Sequence, residues 1–195
     1  MGAMTSFLKD KSWIIRIIVT CLILFINWFG QWGFTSIKAT DAIEIQKIIL
    51  DSVKMGQTAI ILPEPYRLNP KTRIPDEVIR KTNEDIEGKL SRFYIPNSQI
   101  LKKMVGQSES LLDAQETGNY RFLDGGISKY RNIKISGHGN IATVSADIWV
   151  WDKVLINNVI AHPEIGLHYQ FSVVRIGETW AISDDSSDVI PGEGA

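Results

Sequence analysis

Asp147, Trp149 and Trp151 alternate along the run IATVSADIWVW, so as a strand they would share one face. A carboxylate desolvated between two indoles would have a raised pKa, as a proton-transfer base requires. The same rings, with Tyr169 or Phe171 from a neighbouring strand, would equally form a contact surface or fill a concave core. No tyrosine or acid partner for such a base can be identified from spacing.

Other residues with chemical potential are scattered. His162, Glu164 and His168 fall within AHPEIGLHYQF. Two imidazoles and a carboxylate can ligate zinc, but this spacing matches no strong zinc motif, and Pro163 with Gly166 reads as a loop. His138 sits in a glycine-flanked turn and reads as solvated. Asp184, Asp185 and Asp188 form the cluster SDDSSD, which lacks the order of a calcium loop and reads as a solvated C-terminal loop. There is no G-x-S-x-G, no H-E-x-x-H, no phosphate-binding glycine loop and no Cys/His pair. Gly125-Gly126 lacks the context of a dinucleotide fingerprint and reads as a bend or bulge at a strand start. These motifs predict no cofactor, no metal and no catalysis.

Composition narrows the setting. The chain has 195 residues and a net charge of −1, so no basic field argues for nucleic acid. Its single cysteine, Cys21, lies inside the apolar run WIIRIIVTCLILFINWF, residues 13–29. That run is long enough to cross most of a bilayer, with Trp13, Trp28 and Trp32 at the interface positions and Lys9 and Lys11 ahead of it. Arg16 lies near its end, where a guanidinium can snorkel to the headgroups. Two fates are open: an uncleaved anchor with its N-terminus in the cytoplasm, or a signal peptide cleaved after Ala39. Ile37 is a poor residue for the cleavage site, which favours the anchor. On either fate the remainder faces outside, either tethered to the cell membrane or secreted, and without a thiol it must rely on its core.

The elements follow from periodicity. Ile45, Ile48, Ile49 and Val53 predict a helix over 41–56, with Thr40 or Asp41 as N-cap and Gly56 as stop. Pro63, Pro65, Pro70 and Pro75 predict an extended linker. Pro75 suits the first turn of a second helix running to Tyr94, and a third begins near Asn97. A strand is expected around 130–136, a turn at 136–140, then the alternating runs IATVSADIWVW and LHYQFSVVRI, and a Gly177-Glu178 turn into TWAIS. Helices followed by an antiparallel meander give an α+β chain. The expected divisions are a cytoplasmic tail 1–12, a membrane segment 13–32, a helix and linker 33–74, a folded domain 75–188 and a disordered tail 189–195.

GHGNIATVSADIWVW followed by LHYQFSVVRIGETWAISDDSSD resembles the NTF2-like (cystatin-like) exported domains of Gram-positive bacteria, which stand behind a membrane anchor or ahead of a cell-wall amidase. The matching positions are Gly139, Ala142 and Val144, then Gly177, Trp180 and Ile182. The resemblance covers about residues 75–188. It implies helices packed on a curved antiparallel sheet, with Trp180 in the core. The layout of tail, single membrane helix and such a domain is also similar to the VirB8-like component of conjugative secretion systems. The resemblance implies a non-catalytic part in assembly or binding at the cell surface, with a protein partner or a second copy. A small-molecule-binding or isomerase-like pocket protein is the alternative of a different class.

Overall fold

The computed structural model describes residues 36–118 and 120–193. The apolar run and the whole expected membrane segment, 13–32, lie outside the described residues. Among those described, no helix is long and apolar enough to cross a membrane.

Among the described residues, three helices come first. Helix α1 (Ala39–Thr58) buries Ile45, Ile49, Ser52 and Val53 along one stripe. Its N-cap is Lys38, with no side-chain capping bond, so Thr40 and Asp41 are helical rather than capping. Asp41 still suits the positive end of the helix dipole. Gly56 does not end α1, because the buried residues just beyond it, Ala59 and Ile60, favour continuation over the roughly 1 kcal/mol that glycine costs a helix. Helix α2 (Asp76–Leu90) has Pro75 at its N-cap, in extended backbone, and stops four residues short of Tyr94. Helix α3 (Gln99–Thr117) is capped by Ser98, whose Oγ accepts from the Leu101 N–H at 3.2 Å.

Five strands follow: β1 (Tyr120–His138), β2 (Ile141–Ile156), β3 (Val159–Ala161), β4 (Glu164–Ile176) and β5 (Thr179–Val189). They form one antiparallel sheet in the order β1-β2-β4-β5, with β3 paired to the far end of β2. Gly139, Asn157, Asn158 and Gly177 take positive φ at the hairpin turns, the conformation those residue types tolerate best. Strand β1 is much longer than its alternation suggests. Bulges near Phe122, Ile127 and Asn132 interrupt the period of two and hide it from pattern reading.

The helices cover one face of the sheet. Ala142, Val144, Ala146, Ile148 and Val150 of β2 are all buried there with Phe171 and Val173 of β4 and Trp180 and Ile182 of β5. The expected α+β architecture, helices on an antiparallel sheet, is therefore what the chain adopts.

The expected boundary at residue 75 is corrected, since the folded unit begins at Ile37. The stretch between α1 and α2 is not an extended linker. It is a run of turns that sends Ile60, Leu62 and Ile74 into the core. Its backbone carbonyls need donors, and Arg121 supplies them. The guanidinium bonds Tyr66 O at 3.1 Å, Pro70 O at 2.9 Å and Thr72 O at 3.1 Å, together with Gln115, Gly118 and Tyr120 carbonyls around the end of α3. Gln115 completes the seam by donating to Ile60 O and accepting from Phe122 N–H, each at 2.9 Å. The tail is corrected as well. Residues 190–193 fold back on β4, with Ile190 N–H bonded to Gly166 O at 2.9 Å and Gly166 N–H to Glu193 O at 3.1 Å.

Candidate functional site

The sheet face opposite the helices carries the polar residues of the meander, and strand register arranges them in rows. Arg131, Asp147, His168 and Asp188 make one row across β1, β2, β4 and β5. Lys134, Ser145, Gln170 and Ser186 make the next, and Ser136, Thr143, Ser172 and Asp184 the one after. The last two rows line an open groove of about 450 Å³.

The centre of this face is a chain of side chains. His168 Nδ1 lies 2.7 Å from Asp147 Oδ1, and His168 Nε2 lies 3.4 Å from Ser145 Oγ. Asp147 Oδ2 also accepts from Asn132 Nδ2 at 2.6 Å, with Arg131 Nε at 3.7 Å. The hydrogen bonds from His168 and Asn132 hold the Asp147 carboxyl below the usual carboxylate range. The raised pKa considered for Asp147 from sequence is therefore corrected, because hydrogen-bond donors rather than dry indoles surround it.

Trp149 and Trp151 lie on the same face, next in line. Trp149 is only 2% exposed although it lies on the face that the described helices leave open. Lys129 Nζ stands 4.2 Å and the Arg131 guanidinium 4.6 Å from its ring, and its Nε1 donates to Glu193 Oε2 at 2.9 Å. The indole lies flat against Gly166, its register partner, where a Cβ would meet Trp149 Nε1 at 2.7 Å. Trp151 is half-buried beside Gly126. Both tryptophans therefore lie outside the core between the helices and the sheet.

Tyr169 and Phe171 do not join that surface. They pair with Ala146 and Val144 and face the helices, stacked with ring centroids 5.4 Å apart. Their neighbour is Asp185. It was expected in a solvated loop with Asp184 and Asp188, but all three belong to β5. A bulge at Ser183 turns Asp184 outward and Asp185 inward. Asp185 Oδ2 accepts from the Tyr94 hydroxyl at 2.9 Å, and Lys103 Nζ stands 3.5 Å from Oδ1. Burial, with the Asp185 carboxylate beside them, pushes the Tyr94 phenol well above its ordinary value and that of Tyr169 up to about 12. Sequence spacing gave no sign of this cluster, because a single bulge decides which aspartate points in.

The remaining candidates separate. His162 is exposed ahead of β4, Glu164 begins that strand where Pro163 and Gly166 read as a loop, and His168 lies in the strand its alternation predicts. Glu164 accepts from Ser128 Oγ at 3.1 Å and makes no contact with His168. Among the described residues, no three His, Cys, Asp or Glu side chains gather where they could hold a metal ion. His138 is exposed at the end of β1. Trp180 lies in the core, 2% exposed.

No protein-family model matches the chain, and no curated protein matches it in sequence. Several solved structures are similar in shape. The intermembrane space region of the chloroplast protein ARC6 is 15% identical over 77% of this chain and 98% of that one, with a TM-score of 0.49. A Nostoc punctiforme protein of unknown function with a cystatin-like fold is 12% identical over 80% and 96% of the two chains, with a TM-score of 0.43. A type 2 hexachlorocyclohexane dehydrochlorinase, LinA, is 10% identical over 80% and 95%, with a TM-score of 0.44. At these identities none of the three passes a residue role to this chain.

Proposed function

We propose that this chain is a membrane-anchored assembly domain of the NTF2-like kind, displayed outside the cell and working by docking a protein partner. The anchor is the apolar run within residues 13–32. The NTF2-like reading is supported by how the resembling positions sit. Gly139 and Gly177 take the positive φ of the two hairpin turns, and Ala142, Val144, Trp180 and Ile182 all enter the core.

The observation that carries docking is the tip formed by β2 and β3. Ile156, Val159 and Ile160 are 43%, 67% and 51% exposed around the Asn157-Asn158 turn. Among the described residues, strand β3 pairs with β2 alone, and β4 begins only after this tip. Apolar groups held in a rigid hairpin and left in water suit a groove on another protein. The chain enters the domain at the other end. Asp41, in the first turn of α1, pairs with Arg175, whose N–H bonds Asn140 O in the β1–β2 turn. The tip thus stands at the end of the sheet away from the start of α1. A scaffold role in a conjugative channel is the narrower version of this reading, and it rests on the sequence resemblance.

A photo-crosslinking residue at Val159 in the full chain, expressed in membranes, should yield a discrete adduct larger than the monomer. Substituting Ile156, Val159 and Ile160 with serine should remove the adduct of a crosslinker placed at Asn158, with the thermal midpoint little changed, since exposed positions usually shift stability by less than about 0.5 kcal/mol. If Val159 yields only uncrosslinked monomer, the tip is not a docking surface.

A further inference from the structure

Ser145, His168 and Asp147 stand in the relation of nucleophile, base and orienting acid, and we propose that they form a serine esterase site for short acyl esters of polar alcohols. This site is separate from the docking tip. It also escapes any linear motif, because its members come from two strands and only the register of β2 against β4 assembles them. The absence of sequence motifs for nucleophilic catalysis therefore does not bear on it.

The geometry meets the requirements in turn. Asp147 Oδ1 at 2.7 Å from His168 Nδ1 takes the Nδ1–H hydrogen bond, which leaves the Nε2 lone pair free. That lone pair faces Ser145 Oγ at 3.4 Å, a separation typical of a base and nucleophile that tighten on substrate binding. Asn132 and Arg131 hold the second oxygen of Asp147, so the carboxylate cannot swing away. Asp188, the register partner of His168 on β5, is the other acid in the row. Ser145 opens on the groove, and its row places Lys134 on one side and Gln170 on the other, both lining the same groove. An ammonium and an amide flanking the nucleophile can stabilise an oxyanion.

The substrate class follows from the lining. Ser136, Thr143, Ser172 and Asp184 are polar, and the groove is open. Val144 and Phe171 complete the lining, and the groove suits a hydroxyl-rich alcohol carrying a small acyl group such as acetyl. In the reaction, Ser145 Oγ attacks the carbonyl carbon while its proton passes to His168 Nε2. The bond to the alcohol oxygen breaks, and the alcohol leaves with that proton. Water then attacks the acyl-serine, giving one proton through Nε2 back to Oγ and releasing the acid. The net change is ester plus water to acid plus alcohol, with nothing oxidised or reduced.

The test uses the full chain in detergent, with a fluorophosphonate probe and p-nitrophenyl acetate. Mass spectrometry should find the phosphonate on Ser145. Ser145→Ala should lose the label, and both Ser145→Ala and His168→Gln should lower kcat/KM by about 100-fold or more, the scale of general-base catalysis. Asp147→Asn should lower kcat and leave KM unchanged, as expected of a positioning residue. A folded native protein with no phosphonate on Ser145 overturns the proposal. So does ester turnover that survives Ser145→Ala. The native labelling experiment decides the matter even if a variant fails to fold.

Discussion

The Tyr94 hydroxyl donates to Asp185 Oδ2 at 2.9 Å, joining the turn after α2 to a strand 91 positions away. The neighbouring backbone is tied as well, with Ile95 N–H to Ile182 O at 3.1 Å and Ile182 N–H to Phe93 O at 2.8 Å. This stitch ties β5 to the turn after α2 and occupies its edge hydrogen bonds at Ile182.

Removing the hydroxyl leaves a mostly buried carboxylate oxygen without its donor. Tyr94→Phe should cost about 1–3 kcal/mol, read by thermal or urea unfolding. The same phenols set an alkaline limit. Their folded pKa values are raised, so the folded chain holds protons that the unfolded chain releases above pH 10. Their stabilisation is complete below pH 10 and is lost as pH rises toward 12 and beyond. Native absorbance titration should show Tyr94 and Tyr169 still protonated where exposed tyrosines have ionised. Early ionisation of all five tyrosines would contradict the buried cluster.

Asp152 gives the opposite kind of pH response. Its Oδ1 is buried without a hydrogen-bond partner near Gly125 and the C-terminal turn of α1, and burial pushes its carboxyl up. A raised acid opposes folding where it is ionised, so its penalty is present at neutral pH and disappears as pH falls below the unfolded value of 3.8. Asp152→Asn should therefore raise the unfolding free energy at pH 7, by under about 1 kcal/mol because the carboxylate keeps partial access to water. The gain should vanish at pH 3. An equal gain at both pH values would mean that packing, not charge, is responsible.

The parts of this fold that were legible in sequence are those with an unbroken period. Strand β2 shows every second residue from Ala142 to Val150 buried, and its alternation is visible in the bare letters. The α1 stripe Ile45, Ile49, Val53 is equally plain. Strand β1 was half hidden because its bulges shift the phase, and Asp185 was misread because one extra residue in β5 reverses the faces. The Trp149 cover was illegible for another reason. It depends on Gly166 and on Glu193, a residue in what reads as a frayed tail, and no local pattern marks a glycine under an indole. Ser145 and His168 are 23 positions apart, and nothing but strand pairing brings them together.

Arg121 was missed because a lone arginine at a strand start usually reads as solvated. It is 1% exposed, and burial lowers its guanidinium pKa. Its ligands are carbonyls, several at the negative end of α3, so the charge is met by dipoles. Arg121→Met keeps much of the volume and strands those carbonyls. The loss should exceed about 3 kcal/mol, since bonds from a charged donor contribute about 1.5–3 kcal/mol each. Limited proteolysis should then cut the 63–73 segment first. A variant with native stability and protease resistance there would show that water replaces the guanidinium at little cost.

Trp149 and Trp180, both buried, should respond differently to truncation. Trp180 lies between the helices and the sheet, where Ile182 and Val173 are held by their own strands and cannot collapse into the hole. Trp180→Ala should cost about 3–5 kcal/mol, which is much of the 5–15 kcal/mol typical of a domain. Trp149 is covered by Lys129, Arg131 and Glu193, long side chains on the outer face that can close over a gap. Trp149→Ala should therefore cost less, about 2 kcal/mol, because collapse reduces the cavity that remains. Deleting residues from Pro191 onward should expose the indole and shift its fluorescence to the red while leaving Trp180 buried. If Trp149→Ala proves the costlier change, the outer face is a second core, and the cover built by Glu193 is a fixed part of it.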